Sequence, residues 1–224
     1  MYTPPAYAER DAGALHAFMR AHSFASLITF GGARVNVTHL PFLLDTSREP
    51  VLYTHMARAN AQLADLRAGA EALVVFQGPH AFVSPSWYEN RHTFPTWNYT
   101  AVHARGVPTV LDEPEAVLDL LERTVARYDM PLRPARGAWT LEGMPAEVTR
   151  QRMGAIAGVR IPIATLEGKM KLNQDKSVAD RAGVIAALEA LGEPQGVAVA
   201  ALMRDHADMQ TQYHQAVSDT GSRP

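Results

Sequence analysis

The residues of this chain that could do chemistry lie in three groups, each next to the beginning or the end of a predicted strand. The first group is the segment 53–62, in which polar side chains and one arginine stand between a predicted strand and a predicted helix. A helix start offers unpaired backbone N–H groups and the positive end of the helix dipole, and Arg58 can hold two phosphate oxygens at once. Thr54 and His55 would add side-chain donors. The segment predicts a phosphate site; the alternative is that Asn60 only caps the helix and Arg58 lies in solvent.

The second group suits a flat heterocycle with polar edges. Gln77 follows an apolar strand directly, and a Ser-Pro-Ser turn at 84–86 is followed by Trp87 and Tyr88. An amide can present a donor and an acceptor to the edge of an isoalloxazine ring, while aromatic side chains cover its face. The alternative is a hairpin that holds a buried amide and an aromatic plug.

The third group, residues 94–103, again combines polar and aromatic side chains at the beginning of a strand. Thr96 and Asn98 are candidate ligand donors. Trp97 and Tyr99 are either ligand contacts or aromatics of the core or an interface, and the sequence alone leaves both open.

These groups must be positioned by a mainly antiparallel β fold with added helices, of the α+β class. Short β-rich runs are separated by Gly, Pro, Asp and Ser, and apolar residues recur with helical spacing elsewhere. Strands are expected at 25–30, 35–44, 51–56, 72–76, 81–83 after a turn at Gly78-Pro79, 97–110 and 156–166. Helices are expected at 8–22, 59–68, 113–128, 144–155, 179–191 and 197–216, with a frayed tail at 218–224.

Composition bounds the classes of function. The 224 residues predict one domain, 1–224, whose C-terminal helices at about 179–216 pack on the β fold. Cysteine is absent, which excludes disulfides and thiolate chemistry and favours a reducing cytoplasm. No signal peptide or membrane-spanning stretch is evident. The sequence therefore predicts a soluble, cytoplasmic protein with no membrane partner.

Charge is nearly balanced overall, at −2, but the segment 123–181 carries eleven basic and six acidic side chains. All three lysines, Lys169, Lys171 and Lys176, lie within eight residues of each other. Together with Arg181 they form a candidate DNA-phosphate surface, which we expect to be exposed. No basic recognition helix is evident, because the last helix begins with an apolar run typical of packing.

Histidines supply candidate proton donors at His80, His92 and His103. A satisfied structural histidine is the commoner outcome for each of them. Their spacing does not suit a metal site, so we assign neither metal ligands nor a catalytic residue.

Five segments, taken in order, resemble the motifs of the PaiB-type family of FMN-binding negative transcriptional regulators. The resemblance covers about residues 1–190, and its second and third segments are long and unusual in composition. The segments are His39-Leu40-Pro41-Phe42, Thr54-His55-Met56-Ala57-Arg58-Ala59-Asn60, Phe76 to Tyr88, Pro95-Thr96-Trp97-Asn98-Tyr99 and Lys171-Leu172-Asn173-Gln174.

The resemblance implies a split β-barrel like that of pyridoxamine-phosphate-oxidase-like flavoproteins, a homodimer with FMN at the subunit interface, and transcriptional repression. An FMN-dependent oxidoreductase acting on a small molecule is the alternative. Ala57 and Ala59 stand where those oxidases tend to carry a hydroxyl and a second cation, so fewer side chains are available to bind the phosphate here. The FMN contacts that the resemblance implies are Thr54, His55, Met56, Ala57, Arg58, Asn60, Gln77, Ser84, Trp97, Asn98, Lys171 and Gln174.

Overall fold

The computed structural model describes residues 1–31, 34–132 and 139–206. Antiparallel strands and helices are combined in it, which confirms the predicted fold class. The strands are β1 Ala8–Glu9, β2 Phe24–Gly31, β3 Arg34–Pro41, β4 Leu43–Asp45, β5 Val51–Ala57, β6 Ala72–Val83, β7 Thr96–Gly106, β8 Thr109–Leu111, β9 Ile156–Pro162 and β10 Thr165–Lys171. The helices are α1 Ala12–Ala21, α2 Gln62–Arg67, α3 Pro114–Tyr128, α4 Ala146–Gly154 and α5 Val178–Leu191, followed by α6, which starts at residue 194 and is described to 206.

The chain divides into two compact units. The first unit comprises residues 1–10, 77–101 and those from 168 onward, and the second comprises 11–76 and 102–167. Strands β6 and β7 each supply residues to both units. None of the described helices is long and apolar enough to span a membrane.

The second unit contains the four-stranded sheet β4-β5-β9-β8 and the β2–β3 hairpin. Strand β2 of this hairpin also pairs with β6. In the hairpin, Phe30 faces Val35 and Ile28 faces Val37. On the opposite side Ala25, Leu27 and Leu40 are apolar and buried, as the two-residue period of a strand allows, whereas Thr29, Asn36 and Thr38 are polar. The apolar core of the second unit lies on this side. This core includes Leu27, Leu52, Met56, Leu63, Leu66, Val74, Phe76, Val159 and Ile161.

The first unit has a core of its own. Side chains from β6, from the segment after β10 and from α5 and α6 form one buried cluster. Ser177 caps α5 by accepting the Asp180 N–H at 3.0 Å. The cluster consists of Ala81, Val83, Tyr88, Leu172, Val184, Leu188, Val199, Ala200 and Met203. The apolar start of the last helix is therefore packing, as predicted.

Two expected features are wrong in detail. The helix expected from residue 8 begins only at Ala12, because Asp11 caps it by accepting the Ala14 N–H at 2.7 Å, and residues 8–9 form β1. The turn expected at Gly78-Pro79 is absent, since β6 runs through it. β2 pairs with β6 at residues 73–75, so Pro79 removes no N–H that β2 needs.

Three long predicted strands are each divided in two. The strand expected at 35–44 becomes β3 and β4, which Phe42 separates. The strand expected at 97–110 stops at Gly106, where a Cβ would lie 1.9 Å from the Pro162 carbonyl oxygen. The strand expected at 156–166 is interrupted after β9, because the Ala164 N–H turns to bond the Arg105 carbonyl at 2.8 Å. The predicted end of the last helix and the predicted frayed tail lie outside the described residues.

Candidate functional site

Strand β5 divides the predicted FMN contacts at residues 54–57 between its two faces. Thr54 and Met56 are buried on one face, and the Thr54 hydroxyl donates to the Pro41 carbonyl at 2.7 Å. His55 and Ala57 alternate with them and lie on the other face. Burial lowers the pKa of His55, so its ring is neutral at pH 7. The side chain of Thr54 is therefore committed to the fold, whereas His55 and Ala57 face away from the core.

Asn60 is also committed to the fold. Its amide nitrogen donates to the Thr38 hydroxyl at 3.0 Å, and its amide oxygen accepts the Gln62 N–H at 2.9 Å. That N–H is the first of α2, a helix of six residues. Asn60 therefore accepts the first N–H of the helix, in part as the capping alternative expects, although Ala61 is the N-cap residue and Arg58 pairs with Asp112 instead of lying free in solvent.

A buried polar network that the sequence analysis missed lies beside Asn60. Gln62 is only 1% exposed, and its amide nitrogen lies 3.1 Å from each of three oxygens, on Leu27, Thr29 and Asn36. Thr29 and Asn36 in turn donate to the Asp65 carboxylate at 2.6 and 2.7 Å. The network is visible in the sequence only as scattered Thr, Asn and Gln residues, so pattern analysis had no local signal to find it.

Arg58 lies in an ion-paired cluster at the end of β5. Its guanidinium donates to the Asp112 carboxylate, and Arg67 Nη2 lies 3.0 Å from the same oxygen. The hydrogen bond from Arg58 is the largest influence that lowers the pKa of Asp112. Asp112 is thus a second missed residue, and its pairing with two arginines marks this point of the second unit as an anion position.

A cavity of about 560 Å³ opens beside this cluster, within the second unit. Arg58 and Asp112 contribute to its wall, and most of the remaining wall is apolar. The volume lies in the range of small-molecule and cofactor pockets. The apolar side chains are Pro114, Val117, Leu118, Leu141, Met144, Ala146 and Met153.

In the first unit, Lys171 is brought together with the third predicted group. Its ammonium donates to the Thr96 hydroxyl and, at 2.7 Å, to the Trp97 carbonyl. Burial lowers the pKa of Lys171. The Trp97 ring is 52% exposed and has the rings of His80 and Phe82 each 6.1 Å from its centre. This corner offers a cation and an accessible aromatic face.

The other predicted contacts of the first unit are differently placed. Gln77 is exposed, and Ser84 accepts the Ser86 N–H at 3.2 Å in a turn. Gln174 accepts the Leu172 N–H at 2.7 Å, so its side chain closes the turn after β10. Asn98 is fully buried, and within the described residues its amide oxygen has no hydrogen-bond partner. Of these four, Gln77 has the most exposed side chain.

The lysine cluster is not the exposed surface that the sequence predicts. Lys169 is only 8% exposed and donates to the Tyr2 carbonyl at 3.1 Å. Lys171 is half-buried at the Thr96 hydroxyl, and Lys176 pairs with Asp175 at 2.7 Å. The expectation was wrong because strand β10 turns Lys169 inward, and a charge count along the chain does not carry that information.

Each unit carries side chains that suit part of a phosphorylated, aromatic cofactor. In the second unit Arg58 has a guanidinium, a group that can bind phosphate, and in the first unit Trp97 has an accessible aromatic face. The same fold occurs in flavin proteins of known structure. The flavocytochrome Anf3 from Azotobacter vinelandii superposes with a TM-score of 0.59 at 16% identity, covering 79% of this chain and 75% of that chain. The FAD and heme binding protein from Mycobacterium smegmatis superposes with a TM-score of 0.57 at 17% identity, covering 79% of each chain.

Residues 1–165 match the family described as "Putative FMN-binding domain". The chain is also 30% identical to the protease synthase and sporulation protein PAI 2 of Bacillus subtilis, over 92% of this chain and 97% of that protein. The chain therefore belongs to the PaiB-type FMN-binding family, and FMN is its cofactor.

Proposed function

We propose that this protein is a homodimeric FMN-binding regulator that represses transcription, and that Arg58 binds the FMN phosphate. The regulatory part is carried by the identity of 30%, over nearly the whole chain, to a protein named for protease synthesis and sporulation. The phosphate assignment is supported by a guanidinium at the wall of a cofactor-sized cavity. The contacts of Gln77, Ser84, Trp97, Asn98, Lys171 and Gln174 with FMN remain predictions of the family resemblance, as does the split barrel.

The proposal of a dimer is supported by an apolar sheet face in the second unit. Phe24, Phe30, Val35 and Val37 share one face of the β2–β3 hairpin and are 69%, 62%, 57% and 52% exposed. Exposed patches of this kind mark interaction surfaces. A second copy of the chain would bury them.

We place no DNA contact on Lys169 or Lys171, because both are engaged within the first unit. The test is to load the purified chain with FMN, record its flavin absorbance, and select bound fragments from genomic DNA of the source organism. A regulator retains oxidised flavin in the presence of NADH and enriches particular fragments. Steady bleaching of the flavin by NADH or NADPH, with no enriched fragment, contradicts the proposal.

The cavity favours one second candidate, an FMN-dependent oxidoreductase that acts on a small molecule. Bound FMN supplies hydride or electron transfer in such proteins, and the chain need only bind and orient the reactants. His103 is half-buried, and burial lowers its pKa, so its ring is neutral at pH 7. It is our candidate for proton transfer in this case. Reduction of an added quinone or nitroaromatic at the expense of NADPH would support the second candidate.

A further inference from the structure

The guanidinium groups of Arg58 and Arg67 meet on one carboxylate, that of Asp112. Arg58 Nη1 donates to Oδ1, and Arg67 Nη2 lies 3.0 Å from Oδ1 and 3.2 Å from Oδ2. The three side chains are 35%, 49% and 47% exposed, in the order Arg58, Arg67, Asp112. The cluster is thus an accessible, anion-filled position and not a buried structural ion pair.

The charges of the cluster are unbalanced. Two guanidinium groups face one carboxylate, which leaves one positive charge in excess. A phosphate monoester carries a charge of roughly −1.5 to −2 at pH 7 and has three oxygens that can accept hydrogen bonds. Two guanidinium forks match such a group better than they match one carboxylate.

The carboxylate of Asp112 can leave the two arginines at a small cost in free energy. It lies between the end of β8 at Leu111 and the start of α3 at Pro114. An accessible ion pair contributes little to stability, so its loss costs little. A released carboxylate stays next to the N-terminus of α3, a helix of 15 residues whose dipole favours a negative charge there. The cavity beside Arg58 and Asp112 leaves room for the body of a phosphorylated ligand.

We propose that Asp112 is a displaceable internal anion that occupies the phosphate position, and that Arg67 is the second phosphate ligand beside Arg58. The side chain of Asp112 then competes with FMN and sets the affinity of the protein for phosphorylated ligands. The inference rests on the proposed role of Arg58. It adds a positively charged ligand, Arg67, and a competing group, Asp112, that the sequence motif does not contain.

The test compares Asp112→Asn with Glu113→Gln in the full chain, by titration with FMN and with riboflavin, which lacks the phosphate. Both variants lose one negative charge, but only the first removes the group that holds the arginines. We expect Asp112→Asn to bind FMN about tenfold more tightly than the parent does, and to bind riboflavin with the same affinity as the parent. Glu113→Gln should bind both like the parent. Inorganic phosphate titrated in the absence of FMN should also bind Asp112→Asn more tightly than the parent.

Arg67 is tested in the same way. Arg67→Ala should weaken FMN binding about tenfold, and Arg48→Ala, which removes an exposed arginine elsewhere in the second unit, should not.

Three outcomes overturn the inference: unchanged or weaker FMN binding by Asp112→Asn, equal tightening of FMN and riboflavin, or parent-like FMN binding by Arg67→Ala. Arg58→Ala separates the two proposals. If Arg58→Ala binds FMN like the parent, the phosphate assignment fails and this inference fails with it. If Arg58→Ala binds FMN weakly but Asp112→Asn does not bind FMN more tightly, the phosphate assignment of Arg58 stands and only the displacement of Asp112 by the phosphate is wrong.

Discussion

The ammonium group of Lys169 lies 5.1 Å from the centre of the Tyr99 ring. A second aromatic ring, that of Tyr2, lies 5.7 Å from the same ammonium, and the Tyr2 carbonyl accepts its hydrogen bond. A cation over aromatic faces is stabilised by their quadrupoles, the more so when water is excluded. Lys169 therefore holds the N-terminal segment and β7 of the first unit together, and it is a structural residue.

Lys169→Glu should consequently destabilise the protein. The substitution removes the cation and buries a carboxylate between two rings, which we expect to lower the free energy of unfolding by at least about 2 kcal/mol. Lys176→Glu removes a more exposed lysine and should cost less than about 1 kcal/mol. Urea denaturation of both variants gives the comparison. Equal stability of the two would show that the aromatic contacts of Lys169 contribute nothing.

Arg58→Ala should weaken FMN binding by about 1.5–3 kcal/mol, because a charge-assisted contact with phosphate is lost. Lys176→Ala is the matched control, since it removes one positive charge from the first unit. Fluorescence titration with FMN measures both affinities. The phosphate assignment fails when the two variants bind FMN equally well.

Val37→Asp should convert a dimer to a monomer. The substitution places a charge in the middle of the apolar β2–β3 face, where a second copy would have to desolvate it. Light scattering should give twice the chain mass of 24.5 kDa for the parent and about the chain mass for the variant. Glu115→Gln, a change on an exposed residue of α3, should leave the mass unchanged. A monomeric parent at micromolar concentration contradicts the proposal.

Gln62→Leu should destabilise the second unit strongly. The substitution removes the donor of three hydrogen bonds, to the Leu27 and Asn36 carbonyls and the Thr29 hydroxyl, and each group that is left unsatisfied costs about 1–3 kcal/mol. Gln151→Leu, at an exposed position of α4, should change the free energy of unfolding by less than about 0.5 kcal/mol. Thermal unfolding followed by circular dichroism distinguishes the two variants. Similar melting temperatures would show that the polar network does not stabilise the fold.

Asp65 should make stability depend on pH in the acid range. Hydrogen bonds from Thr29 and then Asn36 lower its pKa below 3.8. A carboxyl whose folded-state pKa is depressed contributes stability above its unfolded pKa and loses it as pH falls through the folded value. Stability should therefore fall below about pH 4, and Asp65→Asn should reduce that fall relative to Glu71→Gln. Parallel pH profiles for the two variants, from urea denaturation, would contradict this.

The sequence predicted the elements better than the contacts. Runs such as 25–30 and 72–76 identified strands because strand residues alternate or are uniformly apolar. The Ala164 contact that ends β9 joins residues far apart in sequence and was not predictable. Asp112 was missed for the same reason: 54 positions separate it from Arg58.

Among the described residues, β3 forms one edge of its sheet, with β2 as its neighbour. An unpaired strand edge presents free N–H and C=O groups to any extended chain, and the apolar side chains of β3 would strengthen such pairing. Arg34 at its beginning and Pro41 at its end are residues that oppose it, one by charge and one by lacking an N–H. A charge and a proline thus oppose the addition of another strand at the two ends of β3, while its apolar centre, around Val37, has neither and needs a covering surface.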